Sequence, residues 1–352
     1  MAAGIVPSFG RPGIGTAQSA QRRNVSRNGG FDFLPGGGTI EGTKARDPGN
    51  SDSTSVLRPG LVMGKITSGG YWANSILGLT NGALTTTGTT VTVAAAVVTE
   101  LVRRVGATGT FKITGPPTAA GTVRTLTATY SAASGTSITI TALGVNEVQT
   151  VNLVTAGTAG NLRLIVPKPD GTLALTPNIA WSATDATLLA SANTALDTAT
   201  GVSGGIVATA IAATDTDLGM VLTFSGTGYA GLGGPTTGGG WALTEVHTMF
   251  TSNTGANVVR TTTGVDGRFV TLSMIQPTDG SETPLSLIPD GYGLVVPDDS
   301  ADIEFPMIPI SGIAETGQII DYPSDASLKT WLRQSLSTLA GGKWVFSDIF
   351  VT

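Results

Sequence analysis

Four acidic residues lie close together near the C-terminal third of the chain, at Asp298, Asp299, Asp302 and Glu304. Carboxylates at this spacing could coordinate a cation, or could act as the acid and base of a glycoside hydrolase. The group follows Pro297 directly and has the composition of a loop. A solvated loop or a subunit-contact patch is therefore the stronger interpretation.

The chain has a single histidine, His247, and no cysteine. One histidine cannot build a multi-histidine metal centre, and without a thiol there is no zinc-thiolate site or cysteine nucleophile. His247 lies near Glu245, but a lone histidine between strand-like segments is usually a structural hydrogen-bonding residue. We expect no metal site, no cofactor and no enzymatic activity.

Two further patterns suggest ligand binding but are incomplete. Residues 226–231 match G-x-G-x-x-G after an apolar strand, yet the following Leu-Gly-Gly-Pro sequence cannot open the helix that would receive a pyrophosphate. Two sets of residues resemble the start of a calcium loop, but neither has the distant bidentate glutamate: Asp215, Asp217 and Gly219, and separately Asp47, Asn50 and Asp52. These stretches predict a glycine-rich loop and ordinary turns.

Composition restricts the class of partner. Only 12% of the residues are charged, and the net charge is −5. An acidic chain is a poor ligand for nucleic acid, because that binding depends on neutralising phosphates. No stretch approaches the roughly 20 apolar residues of a membrane span, and residues 1–30 lack the features of a signal peptide. We expect no nucleic-acid or membrane partner, synthesis in a host cytoplasm, and a surface partly covered by neighbouring subunits.

Periodicity predicts a mainly β chain of α+β class that contains a few helices. Alternating apolar and polar residues predict strands at 61–67, 110–114, 123–130, 137–141 and 343–350, among others. Helical spacing is clear at 185–199 and again at about 325–340, where Leu328, Trp331, Leu332 and Leu336 share one face. Residues 1–56 have neither period and are rich in Gly, Ser, Asn and Arg, which predicts a flexible segment.

One stretch, residues 57–67 (LRPGLVMGKIT), carries a more specific pattern: a turn, a short alternating strand, and then the turn Ser68-Gly69-Gly70-Tyr71. It resembles the opening strand of the head decoration proteins of tailed bacteriophages, the family of the lambda capsid-stabilising protein. The order of an Ile-x-x-Pro segment, a helix and Gly-Gly-Lys-Trp-Val-Phe at 317–346 resembles the C-terminal half of the same family. The resemblance covers residues 57–79 and 290–350.

The resemblance implies a structural virion protein that binds the outer surface of a phage capsid as a homotrimer and cements its capsomers, with the major capsid protein as partner. It implies a small β-rich domain with one C-terminal helix, at 57–81 plus 246–352. This domain would be interrupted by an Ala/Thr/Gly-rich inserted module at 82–245, which could divide into parts 91–155 and 156–240.

The resemblance also assigns roles to individual residues. Residues 1–56 become a capsid-binding arm with basic and aromatic anchors: Arg11, Arg22, Arg23, Arg27, Phe9, Phe31 and Phe33. The core or trimer interface of the decoration-like domain would hold Leu61, Met63, Ile66, Trp72, Trp331, Leu332, Leu336, Trp344 and Phe346. An alternative function is a tail-fibre-like or cell-surface adhesion module whose insertion binds host-surface glycans.

Overall fold

The computed structural model describes residues 23–50, 54–119, 121–211, 219–231, 240–291, 293–296, 302–339 and 344–348. Strands account for 39% and helices for 14% of the structure, so the predicted mainly β class is confirmed. Within the described residues, no helix is long and apolar enough to cross a membrane.

The secondary structure consists of many short strands and three α-helices in the described part of the chain. The strands are β1 (Ser26–Phe33), β2 (Gly38–Ile40), β3 (Val56–Leu57), β4 (Val62–Lys65), β5 (Trp72–Asn74), β6 (Gly78–Leu79), β7 (Thr90–Thr92), β8 (Gly109–Gly115), β9 (Arg124–Ser134), β10 (Ser137–Ile140), β11 (Val148–Leu153), β12 (Asn161–Pro167), β13 (Leu173–Leu175), β14 (Ile179–Ala180), β15 (Ile206–Ala210), β16 (Gly219–Phe224), β17 (Glu245–Thr248), β18 (Ala256–Thr262), β19 (Met274–Gln276), β20 (Ser286–Leu287), β21 (Leu294–Val295), β22 (Ile303–Phe305), β23 (Pro309–Glu315) and β24 (Trp344–Ser347). The helices are α1 (Ala95–Val105), α2 (Asp185–Thr200) and α3 (Ala326–Leu336), with a short 3₁₀ turn at Thr316–Gln318.

The chain forms two compact units. Unit 1 comprises residues 1–83, 89–141 and 269–352, and unit 2 comprises residues 84–88 and 142–268. This division differs from the predicted insertion at 82–245 at both ends. Residues 89–141, predicted to lie in the insertion, belong to unit 1, and residues 246–268, predicted to lie in the decoration-like domain, belong to unit 2.

Strand pairing explains the first of these differences. In unit 1 a six-stranded sheet has the order β6-β19-β8-β9-β10-β7. Strand β8 pairs directly with β19, so that Ile113 lies opposite Ile275, and both side chains are fully buried. Residues 89–141 therefore share a sheet and a core with the C-terminal segment, although their Thr- and Ala-rich composition matches that of unit 2.

Helix α1 was not predicted, although its residues have a helical period. Val97, Val98 and Leu101 are buried on one face, which is the i, i+1, i+4 spacing of an amphipathic helix. The helix begins after Ala94, which provides no side-chain cap. Because no capping residue marks its start, and because the surrounding sequence is rich in Ala and Thr, the helix has no clear signal in the sequence.

Unit 1 also holds a five-stranded sheet in the order β20-β4-β5-β2-β22 and a three-stranded sheet in the order β1-β23-β24. Strand β4 pairs with β5 on one side and with β20, from the C-terminal part of the chain, on the other. Helix α3 packs Leu328, Leu332 and Leu336 into one cluster with Val62 of β4. The 61–67 strand therefore pairs with the C-terminal part of the chain, and α3 packs on one side of it.

The segment predicted to be a flexible arm is folded where the structure describes it. Strand β1 pairs with β23, β2 with β22, and β3 with β21, all in antiparallel register. The first of these pairings contains register shifts, and the segment has two adjacent glycines at 29–30. These irregularities break the period of 2, so the sequence gives no strand signal.

Unit 2 is built from two four-stranded sheets and α2. The helix is present as predicted and ends at Gly201, whose φ of +72° favours glycine. It buries Leu188, Ala192 and Leu196 against the strands. Three aromatic side chains complete this core: Phe224, Tyr229 and Trp241 are buried and in mutual contact.

Candidate functional site

The stretch at 57–67 is a structural junction in unit 1. The backbone N–H of Gly60 donates to the Ile288 carbonyl at 2.8 Å, and the Gly60 carbonyl accepts from the Ile320 N–H at 2.9 Å. Strand β4 then pairs Val62 with Leu287. One short segment of the N-terminal half therefore joins two separate parts of the C-terminal half.

Three residues of the motif make contacts that explain why those residue types occur there. The Arg58 guanidinium binds Asp47 in a bidentate pair, with Nε–Oδ2 at 2.6 Å and Nη2–Oδ1 at 2.8 Å. Gly60 has φ +86°, and a Cβ there would overlap the Gln318 carbonyl. A Cβ at Gly64 would overlap the Ser281 carbonyl. The two glycines permit close backbone contacts that any larger residue would separate.

An acidic residue beside this ion pair is electrostatically unfavourable. Burial raises the pKa of the Asp321 carboxyl, the charge of Asp47 raises it further, and Arg58 opposes both effects. Asp321 also has a φ of +54°, in the left-handed region where only Gly, Asn and Asp are common. The ionised Asp321 carboxylate therefore lowers the free energy of unfolding at neutral pH, whereas the Asp47 carboxylate is paired with Arg58.

The residues predicted for the core or trimer interface lie in two clusters of unit 1. Four of them belong to the first, which surrounds β4 and β5, and are at most 2% exposed: Leu61, Met63, Ile66 and Trp72. The second lies under α3, where Leu332 and Leu336 are fully buried and Trp344 is 8% exposed. Trp331 and Phe346 are only half-buried at the edge of this second cluster.

Trp331 is half-buried, whereas the leucines of the same helix stripe, Leu328, Leu332 and Leu336, are fully buried. Its side chain lines an open cavity of about 330 Å³, together with Thr330 and Gln334 of α3 and Thr122 and Val123 of the loop before β9. The described residues that line this cavity carry no charge. Trp331 therefore lies at the margin of the helix stripe, whereas Leu332 lies at its centre.

The predicted arm residues are divided between described and undescribed parts of the chain. Phe9, Arg11 and Arg22 lie outside the described residues. Arg23 donates from Nη2 to the Gln318 carbonyl at 2.9 Å, and Arg27 lies 3.7 Å from Glu315 and 3.0 Å from the Ser347 hydroxyl. Both described arginines thus bind groups of their own chain.

The two described phenylalanines of the predicted arm belong to a row of aromatic rings. Ring centroids are 6.5 Å apart between Phe33 and Phe31, 5.5 Å between Phe31 and Trp344, and 6.3 Å between Trp344 and Phe346. The Arg333 guanidinium of α3 lies 5.3 Å from the Phe346 ring. This row fixes β1 and β24 to α3; Phe31 and Phe346 are partly buried in it, and Phe33 at one end is 39% exposed.

The residues that could have carried chemistry do not converge. Asp298 and Asp299 lie outside the described residues; Asp302 accepts from the Gly42 N–H at 3.2 Å, and Glu304 is exposed on β22. His247 is exposed on β17. No group of three or more potential metal ligands occurs among the described residues.

The glycine-rich patterns also have structural explanations. Residues 226–231 form a turn in which the Ala230 N–H donates to the Gly226 carbonyl and the Tyr229 hydroxyl donates to the Pro167 carbonyl at 2.8 Å. Residues 201–205 (GVSGG) match G-x-S-x-G, a pattern that the sequence reasoning overlooked. They follow a helix and precede a strand, which is the reverse of the strand–turn–helix of a nucleophile elbow.

Sequence reasoning also missed a buried ion pair in unit 1. The Arg104 side chain on α1 is fully buried and donates to Asp279 at 2.9 Å, to the Ser281 hydroxyl at 2.6 Å and to the Asn74 carbonyl at 2.8 Å. Burial lowers the pKa of Arg104, and the charge of Asp279 partly compensates. These partners come from two segments that are distant from α1 in sequence, one at Asn74 and one at 279–281, so no local pattern could reveal them.

Comparison of the chain with protein-family models, with curated proteins and with solved structures finds no match.

Proposed function

We propose that this chain is a head decoration protein of a tailed bacteriophage, which binds the outer surface of the capsid as a homotrimer and cements neighbouring capsomers. The observation that carries the proposal is the junction at 57–67. The two segments that resemble the family, 57–79 and 290–350, are far apart in sequence but meet in unit 1. There β3 pairs with β21, and α3 packs over Val62 of β4.

The residues of the motif support the same conclusion. Arg58, Gly60 and Gly64 each make a contact that requires that residue type, and two of these contacts involve segments on the C-terminal side of the chain. The meeting of the two resembling segments in one unit is the arrangement that a single domain of this family would require, and it supports the proposal. Unit 2 then takes the place of an insertion between the two halves.

In this proposal the protein acts by binding alone. A trimer that binds the expanded capsid lattice, but not the unexpanded one, stabilises the expanded state by mass action. The many uncharged side chains suit a protein whose surface is shared with neighbours on a crowded shell. Packaged DNA exerts pressure on the shell, and the added burial across capsomer junctions would resist it.

The capsid contact is assigned to residues 1–22, since the described arginines of the predicted arm bind their own chain. This segment is shorter than the predicted arm at 1–56, so the deletion that tests capsid binding must also be shorter. Deleting residues 1–50 would remove β1 and β2 and would disturb unit 1. Deleting residues 1–22 removes Phe9, Arg11 and Arg22 and leaves every named strand in place.

The experiment is co-sedimentation with heads assembled from the major capsid protein encoded in the same genome. We expect the full chain to sediment with expanded heads and to stay in the supernatant with unexpanded ones. The variant lacking residues 1–22 should keep the melting temperature of the full chain and lose binding. If the full chain fails to bind expanded heads while it binds glycans on an array, the adhesion function replaces this proposal.

A further inference from the structure

The open cavity beside Trp331 has the size and lining of a small-molecule site. It lies in unit 1 between α3 and the loop at 121–123, and its volume is about 330 Å³. Pockets that bind small molecules have volumes of about 300–1,000 Å³. The cavity is therefore suited to a single small ring, and we call it the Trp331 cavity.

Helix α3 provides one continuous wall of this cavity. Ser327, Thr330, Trp331 and Gln334 all line it, and their spacing of i, i+3, i+4 and i+7 places them on one face of the helix. The Trp331 side chain, together with Val123 of the opposite wall, also packs against the leucine cluster under α3. The core therefore holds the indole ring in place, while part of the ring remains accessible in the cavity.

Several polar groups of this wall are available to a ligand. Within the described residues, the Ser327 hydroxyl, the Gln334 amide and the Trp331 Nε1 make no hydrogen bond. The Thr330 hydroxyl donates to the Ala326 carbonyl at 2.9 Å, which leaves its oxygen free to accept. The cavity therefore combines an aromatic surface with neutral donors and acceptors.

We infer that the Trp331 cavity binds a neutral sugar ring of a glycan. A pyranose has a face of C–H groups, which packs against an indole ring, and a rim of hydroxyl groups that both donate and accept hydrogen bonds. Trp331 provides the ring, and Ser327, Thr330 and Gln334 provide the neutral polar groups. A phosphate or carboxylate ligand would find no counterion among the described lining residues.

This inference goes beyond the proposed function and does not depend on it. The adhesion alternative places glycan binding in the insertion at 82–245, most of which belongs to unit 2. The Trp331 cavity belongs to unit 1 instead, and its wall is the helix near the C-terminus. Single substitutions in the full chain can therefore separate the two locations.

The test is binding of the full chain to a glycan array, followed by calorimetric titration with the methyl glycosides of glucose, galactose and mannose. We expect at least one neutral glycan to bind. Trp331→Leu, which keeps apolar contact with the core but removes the aromatic ring, should weaken binding at least about tenfold. Trp331→Tyr should retain most of the affinity, and Gln334→Ala, at an exposed position, should weaken binding without changing the melting temperature.

Trp181→Leu is the matched control, because Trp181 is also partly buried but packs against the core of unit 2. This variant should bind the same glycan as tightly as the wild type. Thermal melts followed by circular dichroism show whether each variant is folded.

Three results would overturn the inference. The first is a full chain that binds no neutral glycan. The second is a glycan whose affinity is unchanged by Trp331→Leu and Gln334→Ala, which would place its site elsewhere. The third is binding confined to sialylated or phosphorylated glycans. If glycan binding depends on Trp331 but the chain does not sediment with expanded heads, this inference stands while the proposed function fails.

Discussion

Replacing Leu332 by alanine tests the packing that joins the two halves of unit 1. Leu332 is fully buried on α3, in one cluster with Val62 of β4 and Leu287 of β20. Removing a fully buried leucine side chain leaves a cavity and costs about 3 to 5 kcal/mol of unfolding free energy. That is a large part of the total stability of a typical domain, about 5 to 15 kcal/mol.

The neighbouring Trp331 is the matched control. A fully buried tryptophan replaced by alanine would cost about 3 to 5 kcal/mol, but Trp331 is only half-buried at an open cavity, so we expect about 2 kcal/mol. Leu332, although smaller than Trp331, should therefore contribute more to the free energy of unfolding. Urea unfolding of both variants, followed by far-ultraviolet circular dichroism, measures the two losses directly.

The order of the two losses decides the outcome. A greater loss for Trp331→Ala than for Leu332→Ala would contradict the placement of α3 over β4. A Trp331→Ala protein with unchanged melting but no trimer would place this side of α3 at a subunit contact instead.

Three further predictions concern the units and their buried charges. Replacing residues 142–268 by a Gly/Ser linker should leave unit 1 folded by circular dichroism, whereas replacing 83–242 should unfold it, because that deletion removes β8 from its pairing with β19. Asp321→Asn should raise the unfolding free energy at pH 7, and this gain should vanish as the pH falls below 3.8, the ordinary pKa of the carboxyl. Because the pKa of Asp321 is raised in the folded state, the wild type loses stability as the pH rises from 3.8 through that raised pKa. A gain that does not depend on pH would refute the raised pKa of Asp321. Arg104→Leu should cost about 3 to 5 kcal/mol, since it leaves Asp279 without its buried partner, and adding Asp279→Leu should recover part of that loss in thermal melts.

The features that could be predicted from the sequence are those with local signals. Gly201 caps the C-terminus of α2, and Asp325 caps the N-terminus of α3, where its side chain accepts from the Leu328 N–H. Both helices therefore have a terminal residue that marks an end as well as an apolar period. The pairing of β4 with β20 carries no local signal, because the two strands are more than 200 residues apart.

The remaining features depend on contacts between distant residues. Composition placed residues 89–141 with unit 2, but β8 pairs with β19, more than 150 residues later. The burial of Arg104 depends on Asn74, Asp279 and Ser281. Neither a sheet neighbour nor a buried counterion leaves a period in the local sequence. Residues 1–56 lack the hydrophobic period of a strand, which predicts a flexible arm, but a strand with register shifts, such as β1, also lacks that period.

The most direct test of the proposed function is an image of virus particles with and without this protein. Electron microscopy compares heads of the phage that, in this proposal, encodes the chain with heads from a deletion mutant, and locates any missing density. The decoration function predicts that the mutant heads lose projections from the outer surface, arranged in threes at the junctions between capsomers. Identical heads, or density lost from the tail alone, would contradict it.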